Sequence, residues 1–507
     1  MSARIDKTTS AQRNASASGA PFIVSLDVGS SSVRALLFDS AARRMEGYGV
    51  QVAYRVRTTK DGGAEVDPEE LAQLAIDCLD ELHRQVLSSG FKVAAVAGSA
   101  FWHGLCGVNA AGQPTFPILH LLDTRSGDYV EHVPDSNART GCVPHSSYWP
   151  AKLVWLAANH PDQLRATNRF ISFPEYFFRK LFGRGSVSTS MISATGLWDQ
   201  NAANYDQEAL SALPIRRDQL AELDLVDQTE DELLPEFRRR WPAFNKARWF
   251  PALGDGACSN LGSGCLSPER AALMVGTTGA MRVVLDVPKT TIFPQLWCYR
   301  VDRRRFVTGG ALSNGGDVFA WMKRTLVLPK DLEARLESAR PGTHGLTMLP
   351  FFSGERTPYW RADLRASITG LSASTEAFDI FRAALESVAL RFREIYDLLV
   401  AGCGKAPNDI IASGGALLHS LGWTQMMADA LGRPITVCTE AEASCRGAAL
   451  WALERLSLID NMSDLPASTG AVFNPRAEYQ DAYKELFFQQ HKLYERLFGS
   501  SKARGAN

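Results

Sequence analysis

The chain of 507 residues has no apolar run long enough to cross a bilayer as a helix. It also lacks an imbalance of charge. Lys plus Arg number 54 and Asp plus Glu 55, so no net field draws it to nucleic acid or an anionic membrane. Cysteines are few, nine, and none forms a CxxC pair, which argues against structural zinc. Their odd, dispersed set suits a reducing cytoplasm, where cysteine serves as a small core residue. There is no GxxxxGK[ST] phosphate loop, and no GxGxxG opens a helix after the first strand, so neither a P-loop enzyme nor a NAD dehydrogenase is indicated.

What is present is an ordinary globular composition, 45% hydrophobic and 21% charged, in a chain too long for one core. Two domains are therefore expected. Strand-like and helical stretches alternate, which predicts α/β layers. Phe22 to Val28 and Val33 to Phe38 read as paired strands, and Val93 to Ala100 as a buried one. Helical spacing runs over Glu69 to Val86 and over Asp481 to Leu497, and Gly432 is a helix stop. The first twenty residues are rich in Ser, Ala and Arg. They read as a disordered tail in preference to a transit peptide.

One pattern occurs twice. "VGSSSVRALLFD" (Val28 to Asp39) returns in outline as "VGTTGAMRVVLD" (Val275 to Asp286), with the closing Asp ten positions after the Gly in both. Two such hairpins, half a chain apart, suggest two related domains facing each other. The Gly- and Ser-rich "LGSGCLSPER" marks the boundary. The expected division is 1–20 tail, 21–264 N-terminal domain, 265–499 C-terminal domain and 500–507 tail.

A tight Gly-Ser/Thr tip can aim backbone N–H groups and hydroxyls at phosphate oxygens. Gly29, Ser30 and Ser31 in one tip, and Gly276, Thr277 and Thr278 in the other, would clamp a polyphosphate between them. Asp27 precedes the first tip, where the second has Met274. A lone carboxylate there suits Mg2+, while turn capping is the plain alternative. Arg34 would neutralise phosphate charge or sit solvated on its strand; Arg282 falls one position later in the second copy.

These segments carry a resemblance. "SLDVGSSSVRALLFD" and "LMVGTTGAMRVV" resemble the two phosphate motifs of the FGGY carbohydrate kinases, and "PALGDGACSNLGSGC" resembles the segment holding their catalytic aspartate. "GGALSNGGDVFAWM" and "ASGGALLHSLGWTQMMADALGRPITVCTEAEASCRGAALWAL" look like their adenosine-binding region. The likeness runs from about Phe22 to Leu497. It implies two actin-like, ribonuclease H-like domains, with ATP and Mg2+ in the cleft between them. "FWHGLCGVNAAGQPTFPILHLLDTRS", "PHSSYWPAKLVWL" and "FFSGERTPYWRADLRASITGL" look most like gluconate kinases, although "LHLLDTRS" has Leu where relatives often carry Trp and Ala.

By itself "GDG" reads as a turn. The resemblance makes Asp255 the general base that takes the proton from the attacking hydroxyl. Gly254 and Gly256 would let backbone approach the substrate. Gly414 and Gly415 form a strand–helix turn, and the resemblance places Gly310, Asn314 and Ala416 beside the adenosine. "CRGAALWAL" reads as close helix packing. On the sugar side, Trp102, His103 and Tyr148 are candidates. Asp123 and Arg125 are either substrate contacts or a local ion pair, the pair being favoured. Lys152 reads as a solvated helix residue. For a substrate carboxylate, His103, Arg125 and Lys152 are the candidate cations, while Glu355 and Arg356 read as structural or as part of the lobe interface. The expectation is a cytoplasmic, ATP- and Mg2+-dependent kinase of a small sugar or sugar acid, D-gluconate first, with room for a homodimer and no nucleic-acid or membrane partner. A pentulose kinase is the alternative within the class, and a non-catalytic actin-like nucleotide-binding protein the alternative outside it.

Overall fold

The computed structural model describes residues 21–499; both terminal tails named above lie outside the described residues. The first half is built on β1 (Phe22–Val28), β2 (Ser32–Phe38), β3 (Arg44–Ala53), helix α1 (Pro68–Leu87), β4 (Val93–Ala100), helix α2 (Trp149–Asn159), the short strands β5 (Arg248–Trp249) and β6 (Leu253–Gly254), and helix α3 (Asp255–Gly262). Its six-stranded sheet runs β5-β4-β1-β2-β3, with β6 also on β4. β1 pairs antiparallel with β2 and parallel with β4. All seven residues of β1 are buried, as befits a central strand, and two of them, Ser25 and Asp27, are polar.

α1 starts where its local chemistry directs. Asp67 caps it by accepting from the N–H groups of Glu69 and Glu70, and Pro68 occupies the first turn. Its apolar stripe, Leu71, Ala75, Ile76, Leu79 and Leu82, packs with Val24, Leu26 and Val33 in the outer core of this half. Burying each large side chain contributes about 1.5–3 kcal/mol.

The second half repeats the plan with β7 (Arg270–Val275), β8 (Gly279–Asp286), β9 (Trp297–Arg300), β10 (Arg305–Leu312), helices α4 (Gly316–Thr325) and α5 (Ala377–Cys403), β11 (Asp409–Ser413), helix α6 (Gly415–Leu418), β12 (Ile435–Cys438), helix α7 (Ala443–Arg455), β13 (Thr469–Phe473) and helix α8 (Gln480–Phe498). The seven-stranded sheet runs β9-β10-β8-β7-β11-β12-β13. β7 pairs antiparallel with β8 and parallel with β11, so the repeated sequence pattern occupies the same place in both sheets. Gly432 closes the helix Leu421–Leu431 at φ +65°, its N–H donating to the Ala428 and Asp429 carbonyls, as expected.

The halves meet through α3 and α7, which share one core: Ala257, Cys258 and Leu261 against Cys445, Ala448 and Ala449. Glycine lets their backbones touch. A Cβ on Gly447 would lie 1.9 Å from the Cys258 carbonyl oxygen, and one on Gly262 would lie 1.8 Å from that of Ala443. "CRGAALWAL" is thus close helix packing, as the sequence suggested. β9 makes a second bridge. Cys298 N–H donates to Gly141 at 2.9 Å, and Arg300 Nε to the Gln200 carbonyl at 3.0 Å. Among the described residues no helix is long and apolar enough to cross a membrane.

Candidate active site

Each hairpin closes on a glycine. Gly29 N–H donates to Ser32 O at 3.0 Å and Gly276 N–H to Thr278 O at 3.0 Å, which leaves Ser30, Ser31 and Thr277 exposed. The first tip is braced by Tyr54, whose hydroxyl donates to Gly29 O at 2.6 Å. The second is braced by the start of α4, where Gly316 N–H donates to Gly276 O at 2.7 Å.

Asp27, at the end of β1, is buried, and one of its oxygens, Oδ1, has no hydrogen-bond partner. Burial raises its carboxyl above the ordinary value, against the pull of Arg34. Arg34 faces it across the hairpin, Nε 3.4 Å from Oδ2, and also pairs with Glu442 at the start of α7. Its Nη2 donates to Ser32 Oγ at 3.0 Å. The structure therefore commits Arg34 to two carboxylates and departs from the expectation that it serves phosphates.

Asp255 begins α3 and accepts from Gly256 N–H at 2.7 Å. Burial first, and the charge of Asp27 second, push its pKa up to about 6, while the Gly256 N–H and Arg282 pull it down. Tyr54 is raised by burial and then by both acids, so the first tip, Asp27 and Asp255 share one neighbourhood. Arg282, on the inner face of β8, is 5% exposed, and its Nε and Nη2 have no partner.

Gly254 and Gly256 act differently from the expectation. A Cβ on Gly254 would lie 1.8 Å from the Trp102 ring, and one on Gly256 would lie 2.5 Å from that ring and 2.6 Å from Arg282 Nη1. They admit Trp102 and Arg282 to the backbone around Asp255. Trp102 is buried and donates Nε1–H to Ser190 O at 3.1 Å, so it is a wedge under Asp255.

His103, at φ +68°, places Nδ1 2.8 Å from Ala194 O, which assigns the proton to that nitrogen. Burial drives its pKa down to about 3, so the ring is neutral. It packs edge-on to Tyr148 and Tyr299, ring centroids 4.9 and 5.6 Å away, and the two tyrosine hydroxyls bond to each other across the halves. Lys152, on α2, corrects the expectation of a solvated side chain. It is 1% exposed and donates to the carbonyls of His103, Leu119 and His120 at 2.8, 3.1 and 3.0 Å. Asp123 and Arg125 form the favoured local pair: Arg125 Nη2 lies 2.5 Å from Asp123 and 2.7 Å from Glu65.

Beside the second tip lies a cavity of about 1160 Å3, lined in part by Gly276, Thr277, Asp317, Gly415, Ala416 and His419. Its size and mixed lining suit a nucleoside. Gly414, at φ +91°, would bring a Cβ within 2.4 Å of Val275 O, so glycine alone fits that turn. Asn314 ties the rim together, donating to Asp317 Oδ2 at 2.6 Å and accepting from Ser353 N–H at 2.9 Å. Gly310 departs from expectation. It lies mid-strand facing Ile395 and Thr357, away from the cavity. Trp321 and His419 also line it; both lie in the segments that resemble the adenosine-binding region, though neither was singled out there, and Phe352 adds a third wall from the "FFSGERTPYW" stretch.

Glu355 is structural, held by Arg391 and by the Tyr494 hydroxyl at 3.1 Å. Arg356 lies at the junction of the halves. Its charge bears on His103, His145 and Tyr148 on one side and on Tyr299 on the other.

Known proteins share this fold. The profile of the FGGY family of carbohydrate kinases, N-terminal domain, matches residues 22–262, and that of its C-terminal domain matches residues 271–454. The gluconokinase of Bacillus subtilis (strain 168) is 27% identical over 470 residues, 88% of this chain and 91% of that protein. The crystal structure of gluconate kinase from Lactobacillus acidophilus superposes with a TM-score of 0.87 at 25% identity, covering 95% of this chain and 99% of that one. The ligand-bound xylulose kinase from the same organism gives the same TM-score, identity and coverage. The two-lobed actin-like architecture, the paired tips and both profile matches lead to one conclusion: the chain belongs to the FGGY family of carbohydrate kinases, ATP-using phosphotransferases that act on an alcohol group.

Proposed function

We propose that the protein transfers the γ-phosphoryl of ATP to the terminal hydroxyl of a sugar acid, D-gluconate first, to give 6-phosphogluconate. The observation that carries the chemistry is Asp255 at the start of α3, in one neighbourhood with Asp27 and the first tip. The gluconate reading is supported by the likeness to the Bacillus gluconokinase. Xylulose kinases such as that of Staphylococcus xylosus, 23% identical over 491 residues, support the second reading, a pentulose kinase. We place the division between the lobes at Gly264–Cys265, in the connection from α3 to β7, and the enzyme in the cytoplasm, in keeping with nine unpaired cysteines.

In this reading Asp255 accepts the hydroxyl proton as the oxygen attacks, an effect typically worth about 10²–10⁴-fold. Its carboxylate is held by the Gly256 N–H, its backbone is buttressed by Trp102, and its charge is balanced by Arg282. The backbone N–H groups and hydroxyls of Gly29 to Ser31 and Gly276 to Thr278 bind phosphate oxygens from the two lobes, which fixes the line of attack. Lobe closure over them excludes water.

The residues present fit Mg2+. No cluster of three or more His, Cys, Asp or Glu suited to a metal occurs among the described residues, yet Asp27 Oδ1 is buried without a partner, and Mg2+ typically takes one or two carboxylates plus phosphate oxygens and water. Asp27 would hold the ion, and when bound the ion neutralises phosphate charge.

An ADP-release assay over gluconate, xylulose, ribulose, glycerol and a hexitol tests the reading. The highest kcat/KM is expected for gluconate. A higher value for a pentulose selects the second reading, and no release above background selects a non-catalytic protein.

A further inference from the structure

A sugar acid differs from a polyol of equal length by one charged group. Its site must therefore offset carboxylate desolvation with a cation or several N–H donors. Most cations around this site are already committed. Arg34 holds Asp27 and Glu442, and Arg125 holds Asp123 and Glu65. Lys152 has three carbonyls for its three protons. His103 and His145 are neutral, both driven down to about 3 by burial. Arg282 has two donors without a hydrogen-bond partner, but the charge of Asp255, the base itself, already bears on it.

Arg356 differs. It is half-buried, among the described residues it has no carboxylate partner, and the groups whose charge would favour its own are the phenols of Tyr148 and Tyr299. Of its guanidinium donors one is committed, Nη2 to Leu312 O at 2.7 Å. The loop that carries it is locked. Thr357 N–H donates to Ala311 O at 3.0 Å, Ala311 N–H returns to Thr357 Oγ1 at 2.9 Å, and Glu355 is buried against Arg391. At the other end of the same turn Trp360 packs on His145 and Tyr148, ring centroids 5.4 and 6.4 Å away, and its buried Nε1–H has no acceptor. A cation without a counter-charge and an indole donor without a partner thus sit four residues apart on one turn, against one aromatic cluster. Its rings are His103, His145 and Tyr148 of the N-terminal lobe and Tyr299 and Trp360 of the C-terminal lobe. Aromatic faces suit the C–H face of a sugar chain, and free donors suit an anionic oxygen.

We propose that Arg356 binds the carboxylate of the substrate, so that the C-terminal lobe, as well as holding nucleotide, selects a sugar acid over a neutral sugar. The inference rests on the gluconate reading above. It also means that the acid joins the lobes: its carboxylate is held by one, while its terminal hydroxyl is presented to Asp255 of the other.

The test is ADP release by wild type, Arg356→Gln and Arg356→Lys with gluconate and with the hexitol that lacks only the carboxylate, using the KM for ATP as the control for folding. The ratio of kcat/KM for gluconate over hexitol is expected to fall about 10- to 100-fold in Arg356→Gln, through the KM for gluconate, with partial recovery in Arg356→Lys. If wild type prefers gluconate and Arg356→Gln keeps its ratio within about threefold, the role of Arg356 is overturned and the gluconate reading stands. Weakening that falls equally on gluconate, hexitol and ATP also overturns it, in favour of a structural role. A wild type that ignores sugar acids overturns both.

Discussion

At the scale of single residues, the proposed role of Asp255 as base carries a pH prediction. Its pKa is raised to about 6 by burial and by Asp27, so the base form is present above that value and lost below it. Turnover is expected to rise with pH through about 6 and then level, as a kcat/KM profile would show; a flat profile from pH 5 to 8 would count against the assignment. The sign for stability is opposite. The folded carboxyl binds its proton more tightly than the unfolded one, so its contribution is favourable at low pH and declines as pH rises through about 6. Lys152 is a second case. Removing its ammonium leaves three carbonyls without their donor, so Lys152→Met is expected to destabilise the protein by on the order of 3 kcal/mol, read as a lower midpoint in urea. A midpoint unchanged from wild type would show that water replaces the ammonium. Sequence alone gave no hint of this role, because a lysine on a helix is solvated far more often than buried, and its three acceptors, at His103 and at Leu119–His120, lie 32 to 49 residues away along the chain.

At the scale of elements, the two hairpins were legible because an apolar run broken by Gly and small hydroxyls is a local signal. β1, β2 and β4 match the expected strands within a residue, as do α1 and α8. The roles of the glycines in "GDG" were not legible. What they make room for, the Trp102 ring and Arg282, lies in other parts of the chain. The crossing of α3 and α7 follows the same logic of close approach. Gly447→Ala would drive a methyl into the Cys258 carbonyl and push the helices apart. A loss of about 1–3 kcal/mol is expected, measured by chemical denaturation, together with a lower kcat because Asp255 stands on α3. A variant with wild-type stability and rate would show that the interface yields without consequence.

At the scale of the whole molecule, a single arrangement of strands is used twice, an antiparallel hairpin with a third strand parallel to its first. The internal echo in the sequence made that duplication visible and, with the resemblance, the two-lobed fold. The two tips were legible for the same reason, since each is one contiguous stretch. The aromatic cluster proposed for the sugar was not. Arg356 and Trp360 belong to the C-terminal half, while His103, His145 and Tyr148 belong to the first, and only the folded molecule joins them. The account stands on Asp255 being the proton acceptor between two phosphate-binding tips. Its most direct test is the rate of ADP release by Asp255→Asn, measured with ATP affinity in the same preparation. The prediction is ATP binding within about threefold of wild type and a kcat lower by about 10²–10⁴-fold. A variant that binds ATP and turns over at close to the wild-type rate would contradict it.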